Sequence, residues 1–391
     1  MTLGDFVTLQ RGHDLPESKR RPGNVPVIGS FGITGYHDIA KAKGPGVTIG
    51  RSGASFGVVS YSPVNYWPHN AALYVTDFHG NDERFSYYFL KSIDFKNYNS
   101  GSAQPSLNRN YIYPIEIKVP PVPIQRKIAG ILSAYDDLIE NNTRRIEILE
   151  EMARSIYREW FVKFRFPGHE QVQMVDSELG LIPQGWLCKF SDYVDFKEGP
   201  GLRRWQYREE GIPFLNIRTL VNNNIDLSKV QFLDQLEVQS KYLHFLLKPY
   251  DHVVSSSGTL GRIVTIQSHH LPLMLNTSII RMRPKSSKIE KWQLKHFLQS
   301  DYFQNQIRSY ASGVAQMNYG PSHLQQMWIV APINDIGQRY EELVTPIEEL
   351  IFGLVKKNDN LRQTRDLLLP RLISGEIDVE NLDINTGEIA A

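Results

Sequence analysis

The chain is written twice, and that constrains every fold it can adopt. Ser100-Gly101-Ser102-Ala103-Gln104 returns as Ser312-Gly313-Val314-Ala315-Gln316, and earlier strings echo in the same order. Leu3-Gly4-Asp5-Phe6-Val7 is matched by Phe190-Ser191-Asp192-Tyr193-Val194, Val25-Pro26-Val27-Ile28 by Ile212-Pro213-Phe214-Leu215, and Gly53-Ala54-Ser55-Phe56-Gly57 by Gly258-Thr259-Leu260-Gly261. The offset grows from 187 (190 minus 3) to 212 (312 minus 100), so the second copy carries insertions, which surface loops accommodate. Two copies at so long a period are a domain duplication and not a solenoid. Two similar modules on one chain imply a target that is itself in two parts.

Each copy reads as mixed α and β, mostly β. Short β-rich runs at Val25 to Ile28, Gly46 to Ile49 and Val58 to Tyr61 lie between Gly, Pro and Asn clusters. A helix is predicted at Glu83 to Lys91 and a closing strand at Ile115 to Val119, stopped by Pro120, Pro121 and Pro123. The second copy repeats the order, with a helix near Lys291 to Ser300, a strand at Met327 to Val330 and Pro332 after it.

After the prolines the period changes. Ile124, Ile128, Ile131, Tyr135, Leu138, Asn142, Arg145, Leu149, Met152 and Ile156 are spaced by alternating fours and threes, which is a heptad seam. Ile336, Tyr340, Leu343, Ile347, Leu350, Leu354, Lys357, Leu361, Thr364 and Leu368 give the same alternation in the second copy. Polar residues mid-seam either fix register and partner or snorkel to solvent. Pro346 and Pro370 are expected to kink or end segments of the second helix. Two long helices, each preceded by a module, can pair as an antiparallel coiled coil that places the modules at opposite ends.

Composition excludes several classes. No apolar run approaches the roughly 20 residues needed to span a bilayer, and no basic-then-apolar secretory pattern opens the chain, so the expected location is cytoplasmic, with no membrane contact. Cys188 stands alone, which removes intramolecular disulfides and a cysteine-based zinc site. Net charge is +1, but from Leu187 to Asp335 there are 17 Lys/Arg against 12 Asp/Glu. No metal or catalytic residue is assigned. Glu116-Ile117-Lys118 with Asp94 fits a nuclease motif only by its shortness, and the repeat replaces it with Trp328-Ile329-Val330. His269-His270 has no carboxylate at metal-ligand spacing, and no Asn/Asp-Pro-Pro-Tyr/Phe string is present to hold a flipped adenine.

The candidate contact residues are polar and fall at matching places in the two copies. Gly50-Arg51-Ser52-Gly53-Ala54-Ser55-Phe56-Gly57 and Ser255-Ser256-Ser257-Gly258-Thr259-Leu260-Gly261-Arg262 are glycine-spaced loops with hydroxyls and one Arg each. No Lys-Ser/Thr follows either, which excludes a Walker loop. A tight hairpin turn explains the glycines equally, and it would bring Arg51, Ser52 and Ser55, or Ser257, Thr259 and Arg262, to phosphate or base. Lys19-Arg20-Arg21 matches Arg203-Arg204-Trp205-Gln206-Tyr207-Arg208, since 20 plus 187 is 207. Basic clusters interleaved with aromatics suit a DNA backbone or groove, although a charge run also serves simply to solvate a face. Gln104, Asn108, Arg109 and Asn110, with Gln316, Asn318 and Tyr319, follow the repeated Ser-Gly element, where amides suit adenine edges or turn chemistry. His69, Asn70 and Asn276 are further candidates on weaker grounds.

Several strings also resemble a known family. Pro120-Pro121-Val122-Pro123-Ile124-Gln125-Arg126-Lys127-Ile128-Ala129 precedes the first helix and Trp160-Phe161-Val162-Lys163-Phe164 ends it. Glu178-Leu179-Gly180-Leu181-Ile182-Pro183-Gln184-Gly185-Trp186 opens the second module, and Leu367-Leu368-Leu369-Pro370-Arg371-Leu372-Ile373-Ser374-Gly375-Glu376-Ile377 closes the second helix. In this order and on a duplicated frame, they resemble the specificity subunit of Type I restriction–modification systems across nearly the whole chain. Pro332-Ile333-Asn334-Asp335-Ile336-Gly337-Gln338-Arg339 departs from the fuller proline-rich form.

The resemblance implies an α+β fold with two similar β-rich target recognition domains, separated by two long helices forming an antiparallel coiled coil with pseudo-two-fold symmetry. The expected division is recognition domain 1 at residues 1–123, helical spacer 1 at 124–166, a linker at 167–186, recognition domain 2 at 187–335, helical spacer 2 at 336–376 and a tail at 377–391. The seam would use Ile128, Ile131, Tyr135, Leu138, Asn142 and Leu149 against Tyr340, Leu343, Ile347, Leu350, Leu354 and Leu361. Each domain would read one half of a bipartite, gapped site in double-stranded DNA. The helices would dock two methyltransferase subunits and, through them, two restriction subunits. This chain would carry no cofactor and no catalysis; S-adenosylmethionine, ATP and Mg would belong to the partner subunits. The alternative is a non-catalytic coiled-coil scaffold whose globular heads bind protein.

Overall fold

The computed structural model describes residues 1–101, 104–221, 224–285, 288–311, 318–332 and 335–384. The chain divides into two compact units, residues 1–144 with 354–391 and residues 145–353. Each contains one module and a stretch of each of two long helices, Val122–Tyr157 and Ile336–Ile373. At 36 and 38 residues these are about 54–57 Å long at 1.5 Å per residue. A single π-helical turn, Arg158–Val162, extends the first.

The first unit is built on a four-stranded antiparallel sheet in the order Thr8–Arg11, Ala72–Asp77, Gly46–Gly50, Val59–Ser62. The second unit repeats it as Val194–Glu198, Ile279–Pro284, His252–Ser255, Ile263–Thr265. Central strands are buried on both faces, which suits the β-branched Val47, Ile49, Val253 and Val254. A helix follows each sheet, Glu83–Ser92 in one and Lys291–Gln299 in the other; Asp82 caps the first by accepting from the Phe85 N–H at 2.8 Å. The expected closing strand at Ile115 to Val119 is reduced to a bridge between Thr2 and Glu116, whereas Trp328–Val330 pairs fully with Leu187–Lys189.

Each sheet and its helix bury an aromatic core against the long helices. Phe6, Phe85, Tyr88 and Phe89 meet Ile128, Leu132, Leu369 and Leu372 in the first unit, and Phe190, Trp292 and Phe297 meet Tyr157, Tyr340 and Val344 in the second. Full burial of one such side chain contributes about 1.5–3 kcal/mol, so this packing dominates helix placement.

Within each unit the long-helix segments run antiparallel, with Asn142 on Asn358 and Asp136 on Arg365 in the first. The seam differs from the predicted one in phase. Ile128, Tyr135, Asn142 and Leu149 point inward with Tyr340, Ile347, Leu354 and Leu361, but the alternate positions each move by one residue. Leu132, Ile139, Val344 and Ile351 are more buried than Ile131, Leu138, Leu343 and Leu350, and Leu138, Leu343 and Leu350 are 43–47% exposed. Neighbouring positions are both apolar here, so hydrophobicity does not choose between i+3 and i+4. The mid-seam polar residues are consequently Asn142 and Asn358, with Arg145 and Lys357 in solvent. Asn142 Nδ2 donates to Asn358 Oδ1 at 2.9 Å, and Asn358 Nδ2 donates to Ile139 O and Thr143 Oγ1 at 3.3 Å.

The second helix continues through Pro346 and Pro370. Both prolines and Glu342, whose carbonyl loses its i+4 donor at Pro346, are exposed, so water can satisfy that carbonyl. Among the described residues no helix is long and apolar enough to cross a membrane, and no group of three or more His, Cys, Asp or Glu is placed to hold a metal ion.

Candidate nucleic-acid interface

The two glycine-spaced loops are hairpins joining the same pair of strands in each sheet, and their backbones make the same hydrogen bonds. Gly57 N–H donates to Gly50 O at 2.8 Å, and Gly261 N–H to Ser255 O at 3.0 Å. Leu107 N–H donates to Arg51 O at 2.8 Å, as Tyr319 N–H does to Ser256 O at 3.1 Å. Arg51 N–H donates to Ala71 O at 2.8 Å, as Ser256 N–H does to Ser278 O at 2.9 Å. Bridges between Ser52 and Ser106, and between Ser257 and Asn318, complete the set. The segment after the repeated Ser-Gly element is therefore laced to the hairpin in both units, uniting residues some 50–60 positions apart.

These bonds also fix which residues are equivalent. Gly50 corresponds to Ser255 and Gly57 to Gly261, so the second hairpin is one residue shorter (57 minus 50 against 261 minus 255). Arg51 thus corresponds to Ser256, and Arg262 to Val58. The two arginines that looked like counterparts stand at opposite ends of their loops. Gly53 and Gly57 have φ of +81° and +80°, and Gly258 and Gly261 of +69° and +74°, which only glycine adopts readily.

In the first unit Arg51, Ser52 and Ser55 are half-buried on the hairpin, and exposed Gln104 reaches to within 3.6 Å of where a Gly53 Cβ would stand. Asn108 is occupied as the cap of Arg109–Ile112, accepting from the Asn110 N–H at 3.0 Å. Arg109 donates to Leu9 O at 2.7 Å and so ties the segment to the sheet, while Asn110 is exposed beside it. Lys19 is exposed, but its neighbours are engaged: Arg20 donates to Thr34 O at 2.7 Å, and Arg21 pairs with Asp38 at 2.7 Å. The Arg21 hydrogen bond holds the Asp38 carboxyl below its ordinary value. Asn70 donates to Asp14 at 2.7 Å, and His69 Nδ1 lies 3.4 Å from the Ala71 N–H.

In the second unit Arg203, Arg204 and Trp205 are exposed, Trp205 by 72%. Gln206 is corrected from contact residue to internal brace. It is 4% exposed, donates to Glu237 at 2.9 Å and Tyr242 at 3.2 Å, and accepts from the Arg203 N–H at 2.9 Å. Arg208 folds back onto the carbonyls of Trp205 and Tyr207. Ser257 and exposed Thr259 lie on the hairpin, and Arg262 donates to Leu220 O at 3.1 Å. Asn318 is exposed, and Asn276 accepts from Thr277 Oγ1 at 2.9 Å. Tyr319 is also corrected: it is 3% exposed, packed in the core, where burial pushes its hydroxyl pKa up. Both errors have one cause, since a polar tip on a large side chain does not reveal which end is buried. Gln316 lies outside the described residues.

One glycine sets each platform against its neighbour. A Cβ on Gly12 would meet His69 O at 2.2 Å, and one on the corresponding Gly199 would meet the Asn276 backbone at 2.5 Å. Gly12→Ala will therefore destabilise the first unit by about 1–3 kcal/mol, an overpacking cost read as a lower denaturant midpoint at unchanged slope. A midpoint within error of the parent would show that the backbone yields freely.

The residues that the sequence reading did not single out are those holding each module's helix to the long helices. Tyr88 donates to Asp136 at 2.5 Å, and at the matching site, 212 residues on (348 minus 136), buried Glu348 binds Lys295 at 2.5 Å and His296 Nε2 at 2.9 Å. An acidic residue recurring on the inner face of both heptads was the available signal.

Residues 1–151 match the Type I restriction modification DNA specificity domain. The chain is 26% identical over 309 residues to the Type I restriction enzyme MjaVIII specificity subunit of Methanocaldococcus jannaschii, covering 77% of this chain and 72% of that one. To the MjaIX specificity subunit of the same organism it is 27% identical over 307 residues, covering 76% and 70%. In fold it is similar to the crystal structure of a Type-I restriction-modification system S subunit from M. genitalium, with a TM-score of 0.59, 17% identity and 95% of each chain covered.

Proposed function

The chain belongs to the family of Type I restriction–modification specificity subunits, and from that premise we propose that each module reads one half of a bipartite, gapped DNA site. The observation that carries this reading is the platform built twice with one backbone and different side chains. A constant frame with Arg51 at one point of the first loop and Arg262 at another of the second suits two unequal half-sites. Phosphate contacts from Lys19, Arg203 and Arg204 position the modules, while exposed Gln104, Asn110, Thr259 and Asn318 offer donors and acceptors to base edges.

The long helices dock two methyltransferase subunits, and two restriction subunits join through those. S-adenosylmethionine, ATP and Mg act in the partners, and this chain contributes the address without catalysis, in the cytoplasm. Because both half-sites sit on one duplex, linkage makes the second binding event intramolecular.

Mapping methylated adenines in a host genome carrying the complete system, with and without this chain, tests the reading. A gapped two-part motif that vanishes with the chain is expected. Methylation indifferent to sequence would overturn the reading and favour heads that bind protein.

A further inference from the structure

The first platform has a further hairpin beside it. In the first unit the strands Val25–Gly29 and Gly32–His37 form a hairpin whose tip is Ser30-Phe31. That tip leans on the glycine-spaced loop: a Cβ on Gly50 would stand 2.2 Å from both Ser30 O and Ser55 O. Phe31 is 65% exposed, an arrangement that removes a large ring from any core and holds it next in sequence to Ser30, which touches Gly50.

The second unit leaves the corresponding strand by a longer tip, since residues 215–230 separate the paired Phe214 and Gln231 where residues 29–32 separate the paired Ile28 and Ile33. Val27 pairs in parallel with Trp67, and Phe214 with Met274, so Val27 and Phe214 are equivalent. Four residues further in each copy stand Phe31 and Arg218. Asn216 accepts from the Arg218 N–H at 2.9 Å and fixes the Ile217–Thr219 turn, and Arg262 donates to Leu220 O at 3.1 Å, so this tip also lies against its glycine-spaced loop. Arg218 is exposed, and no partner for its guanidinium occurs among the described residues. Tips that leave corresponding strands of a duplicated frame, one carrying an aromatic ring at its turn and the other a guanidinium in its first turn, differ where unequal half-sites must be told apart.

We propose, resting on the reading above, that this tip is a base-reading position in each module, with Phe31 against the 5-methyl group of a thymine and Arg218 bidentate on O6 and N7 of a guanine. Chemistry favours those partners. In the major groove the thymine methyl is the one apolar feature that a ring edge can cover, while a guanidinium fork matches the two guanine acceptors and gives the commonest specific contact. Each tip is fixed at its base by backbone pairing, so the contact needs little reordering on binding.

The test uses the assembled complex of this chain with its methyltransferase subunits and duplex oligonucleotides carrying the mapped site. Uracil replaces each thymine in turn, removing the methyl, and 7-deazaguanine replaces each guanine, removing N7. One uracil position in one half-site is expected to weaken the parent severalfold and leave Phe31→Ala unaffected. One deazaguanine position in the other half-site is expected to weaken the parent about tenfold and leave Arg218→Ala unaffected, with Arg218→Lys retaining only part of the affinity. Specific binding that ignores both replacements, or half-sites lacking the thymine or the guanine, overturns this inference and leaves the proposed function standing. Failure of the parent complex to prefer the mapped site over random duplex overturns both. Exposure of both side chains makes the alanine variants safe for folding, and unchanged far-UV circular dichroism establishes it.

Discussion

Replacing Glu348 with alanine will destabilise the second unit by about 3–5 kcal/mol, because it strands two buried partners at once. Glu348 is fully buried, 2.5 Å from Lys295 Nζ and 2.9 Å from His296 Nε2, while the Tyr340 hydroxyl donates to His296 Nδ1 at 2.8 Å. Burial alone would raise the Glu348 pKa, but Lys295 and His296 outweigh it and hold the carboxyl down at about 2. The folded-state value lies below the ordinary one, so its stabilisation is complete above about pH 4.5 and lost as pH falls toward 2. Five of the six tryptophans, Trp160, Trp186, Trp205, Trp292 and Trp328, lie in this unit, so fluorescence-detected denaturation follows it. Lys295→Met combined with Glu348→Leu should restore part of the loss, since the apolar pair removes the unpaired ammonium and leaves only the His296 Nε2–H without its acceptor. A loss under about 1 kcal/mol in the single variant would mean that water reaches the site.

Exchanging residues 1–123 for the corresponding segment of another specificity subunit will replace one half of the methylated motif and leave the other half intact. The expectation follows from the two sheets and two platforms each closing within its own unit, with hydrogen bonds from Arg109 to Leu9 and from Leu107 to Arg51 contained in the exchanged piece. Genome-wide mapping of methylated adenines reads the result. A change in both halves would show that the modules do not recognise DNA independently.

Much of this architecture was legible because it is periodic. Helices at Glu83–Ser92 and Lys291–Gln299, and both long helices, follow from spacing and from the prolines before them. The phase of the seam was not legible. Ile131 and Leu132, or Leu350 and Ile351, are equally apolar, and only tertiary packing selects one of each pair. The same limit governed the candidate interface. Glycine spacing located both hairpins, yet Gln206 and Tyr319 were indistinguishable from surface residues until their partners were known. Phe31 and Arg218 share no side-chain chemistry, so an echo of residue types passes over them; what relates them is that each stands four residues beyond Val27 or Phe214, which pair with Trp67 and Met274.

The Asn142–Asn358 contact bears on which helix can pair with which. Shifting by the 212-residue offset, the counterpart of Asn142 in the second helix is Leu354, and that of Asn358 in the first is Ile146. Two first helices from separate chains, paired in this register, would set each Asn142 against Ile146 and bury an amide with nothing to bond. Two second helices would set each Asn358 against Leu354 and take the Asn142 donor from its Oδ1. Each buried, unbonded amide costs about 1–3 kcal/mol, twice per pair, whereas the first helix against the second satisfies both. A duplication begins with halves that cannot distinguish themselves from each other; one amide pair placed off the symmetry axis makes each half prefer its opposite.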